Sequence, residues 1–270
     1  MKLANKVAVI TGASSGIGKA LAIAMADEGA KLVLGARNKE KLDEVITDIT
    51  FKGREAIAIQ TDVSDENDCK NLIITAYEKY GRIDILINNA GISMRALFND
   101  SKVDVLKKLM DVNFWGTVYC TKYALPYLLE SKGSVVGVSS IAGYKGLPGR
   151  TGYSSSKFAM HGFLESLRIE NLKTGLHVLI ACPGFTASNI RNTALNAEGT
   201  QQGESPRDES KMMSAEEVAK HIIEAIIKRK DRLTLTSQGK TTVLLNKLFP
   251  RFMDKMVYNH MAKEADSPFK

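Results

Sequence analysis

A tyrosine and a lysine four positions apart are the residues whose types and spacing best suit chemistry in this chain. Tyr153 and Lys157 stand in a stretch of helical periodicity, where side chains four apart share one face and reach each other. A phenol has a pKa of about 10 and exchanges protons poorly at neutral pH, but a nearby ammonium stabilises its phenolate. We therefore expect Lys157 to lower the pKa of Tyr153, and the pair to act as general acid and base.

Two hydroxyl groups come shortly before this pair in the chain. Val135–Ser140 has the pattern of a strand end that carries Ser139 and Ser140, and Ser140 is placed to donate to a substrate oxygen. A tyrosine and a lysine at this spacing are common on ordinary helices, where the lysine is simply solvated. The hydroxyls at the strand end favour the catalytic interpretation.

A glycine-rich loop near the N-terminus suits a phosphate group. Strand residues Val7–Ile10 run into Thr11–Gly18, which reads TGASSGIG, and an apolar-periodic helix follows. At such a strand-to-helix turn the backbone can approach a pyrophosphate, and the free N–H groups and dipole of the helix favour negative charge. A glycine loop alone is weak evidence, since many tight turns look alike; its position between strand and helix strengthens it.

The end of the second predicted strand bears on the choice of cofactor. An NAD-binding protein normally places an acid there for the ribose 2′-hydroxyl, but the sequence reads Leu34–Asn38 with no acid. Ala36 leaves room for a 2′-phosphate, and the Arg37 guanidinium can bind that phosphate in bidentate fashion. The alternative is a solvated surface arginine. The missing acid and the present base together favour NADP(H).

The elements that must position these residues alternate between short β-branched runs and longer amphipathic stretches. Strands apolar on both faces need helices on both sides, so we expect an α/β fold: a single-domain, Rossmann-type, doubly wound parallel sheet with the ligand at the carboxyl ends of its strands. Ser214 and Glu217 predict a capping box. The predicted strands are Val7–Thr11, Lys31–Gly35, Ala56–Thr61, Ile83–Ile87, Ser134–Ser139 and His177–Ala181. Glycines suited to closing helices are Gly29, Gly53, Gly81 and Gly175.

Length and composition bound the organisation of the chain. Its 270 residues, 44% hydrophobic and 25% charged, suit one globular domain with a sizeable core. We expect that domain to span residues 1–237 with an irregular substrate loop at about 184–213, and residues 238–270 to form a C-terminal extension. The three cysteines lie far apart with no metal-ligand spacing, which predicts a reduced, cytoplasmic protein with no signal peptide, zinc site or disulfide.

The net charge of +7 is concentrated at one end. Residues 228–270 contain ten Lys or Arg and four acidic residues, so the preceding 227 residues carry only +1. The basic residues are not interleaved with stacking aromatic residues in a known module. We therefore expect no nucleic-acid partner.

Taken together, the motifs resemble those of the short-chain dehydrogenase/reductase family from the first strand to about Arg232. The C-terminal tail and residues 91–93 with Arg95 resemble the hydroxysteroid-dehydrogenase-like and orphan dehydrogenase/reductase branch of that family. Six motifs occur in the family's order and at intervals like the family's. The matching positions are Thr11–Gly18 (TGxxxGxG), residues 88–91 (NNAG), Asn113, Ser140, Tyr153 with Lys157 (YxxxK), and Pro183 with Gly184 (PG).

The resemblance implies a role for each matching residue in hydride transfer between NADP(H) and a carbonyl or secondary alcohol, without a metal. Tyr153 would be general acid in reduction and base in oxidation, Ser140 would hold the reacting oxygen, and Lys157 would bind the nicotinamide ribose. Asn113 would position a water in a proton relay. The expected cofactor contacts are Gly12, Ser14, Ser15, Gly16, Ile17, Gly18, Arg37, Asn38, Asp62, Val63, Asn89, Ala90, Gly91, Tyr153, Lys157, Pro183, Gly184, Phe185, Thr186 and Ser188.

Substrate contacts are expected from Ser140 and Tyr153, together with Met94 and Phe185. The apolar, methionine-containing character of the predicted pocket suggests a lipophilic substrate. Other candidates, each equally compatible with simple packing under a loop, are Ser93, Arg95, Phe98, Tyr144, Leu147 and Pro148. A non-catalytic NADP(H)-binding regulatory protein is the alternative function, although such proteins usually lose the tyrosine, lysine or serine.

The C-terminal extension departs from the family's usual short tail. Residues 241–258 mix apolar and basic residues at helical spacing, interrupted by Pro250. A packed helix with a solvated basic face is the simplest interpretation. A contact in a homodimer or homotetramer, a cover over the substrate pocket and a peripheral membrane contact stay open.

Overall fold

The computed structural model describes residues 1–184, 186, 190–203, 212–264 and 267–269. Within those residues, strands and helices alternate as the hydrophobic pattern predicts. The strands are β1 (Val7–Thr11), β2 (Lys31–Ala36), β3 (Ala56–Gln60), β4 (Ile85–Asn88), β5 (Ser134–Val138), β6 (His177–Cys182) and β7 (Arg232–Thr234). The helices are α1 (Gly16–Asp27), α2 (Lys39–Phe51), α3 (Glu66–Tyr80), α4 (Val103–Met110), α5 (Gly116–Glu130), α6 (Thr151–Glu170), α7 (Ala215–Ile227), α8 (Ser237–Leu248) and α9 (Pro250–Met261).

All the strands join one parallel sheet in the order β3-β2-β1-β4-β5-β6-β7. The order reverses between β1 and β4, where consecutive connections cross to opposite faces of the sheet. In such sheets the crevice at the carboxyl ends of the two switch strands receives the ligand. The predicted doubly wound parallel sheet is confirmed.

The core lies in two layers, one on each face of the sheet. Buried side chains of α1, α2 and α7 form the first layer, and those of α3, α5 and α6 form the second. Alternate residues of a strand point into opposite layers, as Ile10 and Val9 of β1 do. This double cover explains why the strands read as continuous apolar runs.

The ends of the elements follow the local signals in most places. The four predicted capping glycines have φ between 69° and 88°, and Ser214 and Glu217 form the predicted capping box. The fourth strand begins at Ile85, two residues later than predicted, because Asp84 turns its carboxylate to the backbone N–H of Val7 and to Lys6. The apolar pattern did not predict β7, whose residues include one apolar side chain.

The C-terminal helices α8 and α9 pack against each other beside the loop that precedes α6. The break between them falls at Pro250, where the sequence predicted an interruption. The first of the two starts at Ser237, and the domain boundary expected after residue 237 stays a prediction. None of the helices in the described ranges combines the length and the apolar character that a membrane span needs.

Candidate active site

A cleft of about 750 Å³ opens at the carboxyl ends of β1 and β4, within the usual range for a small-molecule site. Most of the predicted cofactor contacts lie on its walls. These are Gly12, Ser14, Ser15, Gly16, Ile17, Arg37, Asn38, Asp62, Val63, Asn89, Ala90, Gly91, Tyr153, Lys157, Pro183, Gly184 and Thr186. The topology thus brings together residues from six separate stretches of the chain.

The glycine loop is fixed to the end of β4 by hydrogen bonds. The Thr11 hydroxyl accepts from the backbone N–H groups of Asn89 and Ala90, each at 3.1 Å, while Asn89 Nδ2 donates to the carbonyls of Thr11 and Gly12. Gly12 has a φ of 65°, and a Cβ there would lie 2.8 Å from Ala90 Cα. Only glycine fits this conformation and this approach.

The N-terminus of α1 is suited to a pyrophosphate. Ser15 occupies the N-cap position but its side chain makes no capping hydrogen bond, so the first N–H groups of α1 keep their donors for a ligand in the cleft. Gly16, with a φ of 52°, completes the turn. The loop therefore fits the phosphate chemistry that its sequence predicted.

Gly18 does not line the cleft, and its contact with the cofactor stays a prediction. A Cβ at this position would lie 2.3 Å from the carbonyl oxygen of Gly12 and 2.5 Å from Asn89 Nδ2. Its glycine is required because α1 packs directly on the loop. Gly18 therefore allows the close packing that holds the glycine loop in its conformation.

Arg37 and Asn38 form the far end of the cleft, beyond β2. Asn38 Oδ1 accepts from the backbone N–H of Lys41 and so caps α2. Arg37 is exposed, with its backbone carbonyl accepting from Gln60 Nε2. On the facing wall the Asp62 carboxylate is engaged by the backbone and hydroxyl of Ser64.

Tyr153, Ser140 and Lys157 meet at the floor of the cleft. The Tyr153 side chain is 9% exposed and its hydroxyl shares a hydrogen bond with Ser140. Lys157 Nζ lies 5.8 Å from the Tyr153 ring centroid and donates to the carbonyl of Val138 at 3.0 Å. Ser139 turns away, because its hydroxyl pairs with His161 Nε2 at 2.8 Å. Ser140 is thus the serine that faces the tyrosine.

The pKa of Tyr153 is raised above its ordinary value in this structure, against the expectation of a lowered one. Burial disfavours the phenolate most strongly, and the opposing effects of the Ser140 hydrogen bond and the nearby Arg150 and Arg191 are smaller. Burial also lowers the pKa of Lys157 to about 8. The sequence argument treated the two groups as if they were solvated, whereas both lie within the protein.

Asn113 is fully buried and contacts the cleft only through its neighbours. Its amide donates to the carbonyl of Ile92 and accepts from the Ile92 N–H, and it also donates to the Ser156 hydroxyl. A π-helical turn over Asp111–Trp115 places it there. The side chain therefore ties the loop after β4 to α6. The water relay implied by the family resemblance stays a prediction.

The substrate end of the cleft differs in part from expectation. Met94 is completely buried and forms an isolated β-bridge with Leu195, and its contact with substrate stays a prediction. Ser93 and Leu147 do line the cleft. Phe185 and Ser188 lie outside the described residues. The Phe98 side chain is 63% exposed and Tyr144 packs edge-on against His161; neither lines the cleft.

Several residues of the site were not predicted from the sequence. Arg150 and Arg191 line the cleft, and Ser156 bridges Asn113 to the carbonyl of Tyr153. Ser156 and Arg150 are adjacent to the catalytic motif, so proximity was an available signal. Arg191 lies in the irregular loop, where no periodicity indicates which side chains turn inward.

Comparison with known proteins supports the resemblance drawn from the motifs. Residues 6–199 match the family model described as "short chain dehydrogenase". The chain is 34% identical to dehydrogenase/reductase SDR family member 7B of Rattus norvegicus, over 98% of this chain and 84% of the other. It is 36% identical to 11-beta-hydroxysteroid dehydrogenase 1A of Arabidopsis thaliana, over 93% of this chain and 74% of the other.

Solved structures match as well. A short chain dehydrogenase/reductase from Burkholderia phymatum, in complex with NAD, superposes with a TM-score of 0.83 at 26% identity, over 93% of this chain and 96% of the other. An alcohol dehydrogenase from the archaeon Thermococcus sibiricus, complexed with 5-hydroxy-NADP, gives a TM-score of 0.74 at 25% identity, over 84% of this chain and 93% of the other.

Proposed function

The chain belongs to the short-chain dehydrogenase family of oxidoreductases, and on that basis we propose that it transfers a hydride between NADP(H) and a carbonyl or secondary alcohol. The observation that carries this proposal is the cluster of Tyr153, Ser140 and Lys157 at the floor of a cleft whose opposite end suits a nucleotide. An acid/base hydroxyl beside a hydrogen-bonding hydroxyl is what carbonyl reduction requires.

A nicotinamide cofactor is supported by the glycine loop, the uncapped N-terminus of α1 and the cofactors bound by the two structural relatives. NADP(H) rather than NAD(H) is supported by the exposed Arg37 and the lack of an acid between Ala36 and Asn38. A guanidinium at this place binds a 2′-phosphate through charge-assisted hydrogen bonds.

The bound cofactor would supply or accept the hydride, and the protein would handle the proton. In reduction the Tyr153 hydroxyl donates its proton to the substrate oxygen, which Ser140 holds by a hydrogen bond. The raised pKa of Tyr153 keeps its proton in place until a carbonyl oxygen arrives. Lys157 would hold the nicotinamide ribose, and Asn113 would support proton return through a water relay.

Substitution of Tyr153 by phenylalanine tests the acid/base role. Tyr153→Phe should lower kcat by about a thousandfold or more, in line with the loss of general acid catalysis. NADPH affinity, followed by fluorescence titration, should stay within about twofold because the ring remains. Tyr127→Phe removes a hydroxyl on α5 and serves as the matched control. A Tyr153→Phe protein that keeps wild-type turnover contradicts the proposal.

A non-catalytic NADP(H)-binding regulatory protein is the second candidate. It is less well supported, because Ser140, Tyr153 and Lys157 are all in place at the cleft. A screen of aldehydes and ketones with NADPH separates the two: tight NADPH binding without oxidation across the screen would favour the regulatory role.

Three further expectations stay proposals. The substrate is lipophilic, in keeping with Leu147, Ile190 and Leu195 on the cleft wall. The protein forms a homodimer or homotetramer. The outer side of α8 and α9 contacts a membrane peripherally, since its exposed apolar side chains lie among basic ones. The apolar members are Leu244, Leu248, Phe249, Phe252 and Met256, and the basic ones are Lys240, Lys247, Arg251 and Lys255.

A further inference from the structure

The C-terminal segment, defined as the described part of residues 237–269, packs along the loop that connects Ser140 to Tyr153. We call this loop, residues 141–150, the catalytic loop. Asn246 Nδ2 donates to the carbonyl of Tyr144 at 2.9 Å. Lys145 Nζ donates to the Asp254 carboxylate, Gly239 lies beside Ile141, and Pro268 lies beside Gly149. The segment therefore supports the catalytic loop along its whole length.

Glu264 makes the most buried polar contact of this segment. Its side chain is 4% exposed and its Oε2 lies 3.2 Å from Arg150 Nη2 and 3.6 Å from Arg95 Nε. Arg150 ends the catalytic loop, three residues before Tyr153, and lines the cleft. Arg95 belongs to the other loop, which follows β4 and also carries Ser93. One carboxylate thus joins the two loops that flank the substrate end.

A carboxylate at this depth depends on paired cations such as these. Burying a charge costs far more than a surface ion pair returns unless the charge is paired and hydrogen-bonded, so Glu264 has a strong preference for one position. A guanidinium bound to it is restricted in turn. Arg95 and Arg150 are each 13% exposed, so this restriction acts inside the protein rather than in solvent.

We propose that Glu264 is a positioning residue of the active site, which fixes the catalytic loop through Arg150 and the loop after β4 through Arg95. The C-terminal segment then helps to position the two loops that flank the substrate end of the cleft. The inference rests on the proposed function, since it specifies how the substrate end of that same site is held.

The charge of Glu264 also reaches Tyr153 through Arg150. The groups that face the Tyr153 hydroxyl are Ser140, Lys157, Arg150, Arg191 and Cys182. The positive charge of Arg150 lowers the pKa of Tyr153 and a carboxylate beside Arg150 offsets part of that effect. Removing the carboxylate should therefore move the Tyr153 limb of the pH profile to lower pH.

The test compares Glu264→Gln with Glu224→Gln in the full-length protein. Glu224 pairs with Lys228 on the exposed side of α7, away from the cleft, and supplies the matched control. Amide hydrogen exchange should quicken at least about fivefold in residues 92–97 and 141–150 of Glu264→Gln, with the strands unchanged. The control should show no faster exchange in either loop.

Kinetics supply the second readout, with NADPH and 4-nitrobenzaldehyde as the probe pair. Glu264→Gln should raise KM about fivefold or more with kcat within about twofold, and NADPH affinity should not change. Its pH profile should shift to lower pH. Glu264→Asp keeps the charge but shortens the reach, so it should raise KM while leaving the pH profile in place.

The outcomes separate this inference from the proposed function. Exchange in both loops equal to that of the control overturns the positioning role, and so does faster exchange spread over the whole sheet, which would mark a purely structural residue. If wild-type protein does not reduce the aldehyde, the proposed function loses support. The exchange result then decides the role of Glu264 by itself.

Discussion

Replacement of Lys157 by methionine should stabilise the folded protein at neutral pH and abolish turnover. Burial lowers the pKa of this lysine from 10.5 to about 8. At 1.36 kcal/mol per pKa unit, that difference corresponds to an unfavourable contribution of about 3 kcal/mol at pH 7. The lost hydrogen bond to the Val138 carbonyl removes about 1 kcal/mol of the gain. The net gain of about 2 kcal/mol should raise Tm by about 4 °C in a chain of this size.

The stability difference between Lys157→Met and wild type should depend on pH. Because the folded-state pKa lies below the unfolded value, the cost is fully present below pH 8 and is relieved as pH rises between about 8 and 10.5. At pH 9.5 about 1.4 kcal/mol of it should remain. The advantage of Lys157→Met over wild type should therefore shrink by more than half between pH 7 and pH 9.5.

Thermal unfolding followed by circular dichroism at both pH values measures this difference. Lys220→Met changes an exposed lysine on α7 and should leave Tm within about 1 °C at either pH, as surface substitutions usually do. The reasoning is refuted by a Lys157→Met protein that is less stable than wild type at pH 7. An advantage of equal size at both pH values refutes it as well.

Three further substitutions test the cofactor end, the buried asparagine and the C-terminal surface. Arg37→Ser should weaken NADPH binding about ten- to a hundredfold and NADH binding less than about twofold, since only NADPH carries the 2′-phosphate; fluorescence titrations that show equal losses contradict this. Asn113→Ala should lower the free energy of unfolding by about 2 kcal/mol, because it leaves the Ile92 backbone groups without their partners; urea unfolding measures it, and an unchanged midpoint speaks against it. Phe249→Ser with Phe252→Ser should reduce cosedimentation with phosphatidylserine vesicles at low salt; wild-type protein that stays in the supernatant ends the membrane proposal.

The fold was readable from the sequence because its signals are local. The apolar runs gave six of the strands in the sheet, and each of the four capping glycines has the left-handed conformation that its position predicts. The signal failed at β7. Its three residues pair with β6 through backbone hydrogen bonds, and their side chains show no apolar pattern. It also failed at Ile83, which is buried like a strand residue although β4 begins two residues later, at Ile85.

The sequence predicted which residues form the site better than it predicted their pKa values. Tyr153 and Lys157 are neighbours because a helix makes them so, but whether the lysine lowers the tyrosine pKa depends on how much water reaches them. That depends on β5, on the loop that carries Ser140, and on the buried cluster that contains both Met94 and Tyr153. Side-chain burial is set by contacts far apart in sequence, so motif spacing alone gave the wrong direction for the pKa.

The residues that hold the site in shape are a different set from those that face the substrate. Thr11 fixes the glycine loop to Asn89 across 78 positions, Asn113 fixes α6 to Ile92 across 21, and Glu264 reaches Arg150 across 114. Each is a polar contact with little exposure to solvent, so its loss would leave a buried group unpaired and the attached loop free to move. A tyrosine and lysine at helical spacing become an acid/base pair only when such contacts bring the serine and the nucleotide cleft to the same place. For that reason a variant that leaves every catalytic residue intact, such as Glu264→Gln, is the sharper test of how this site works.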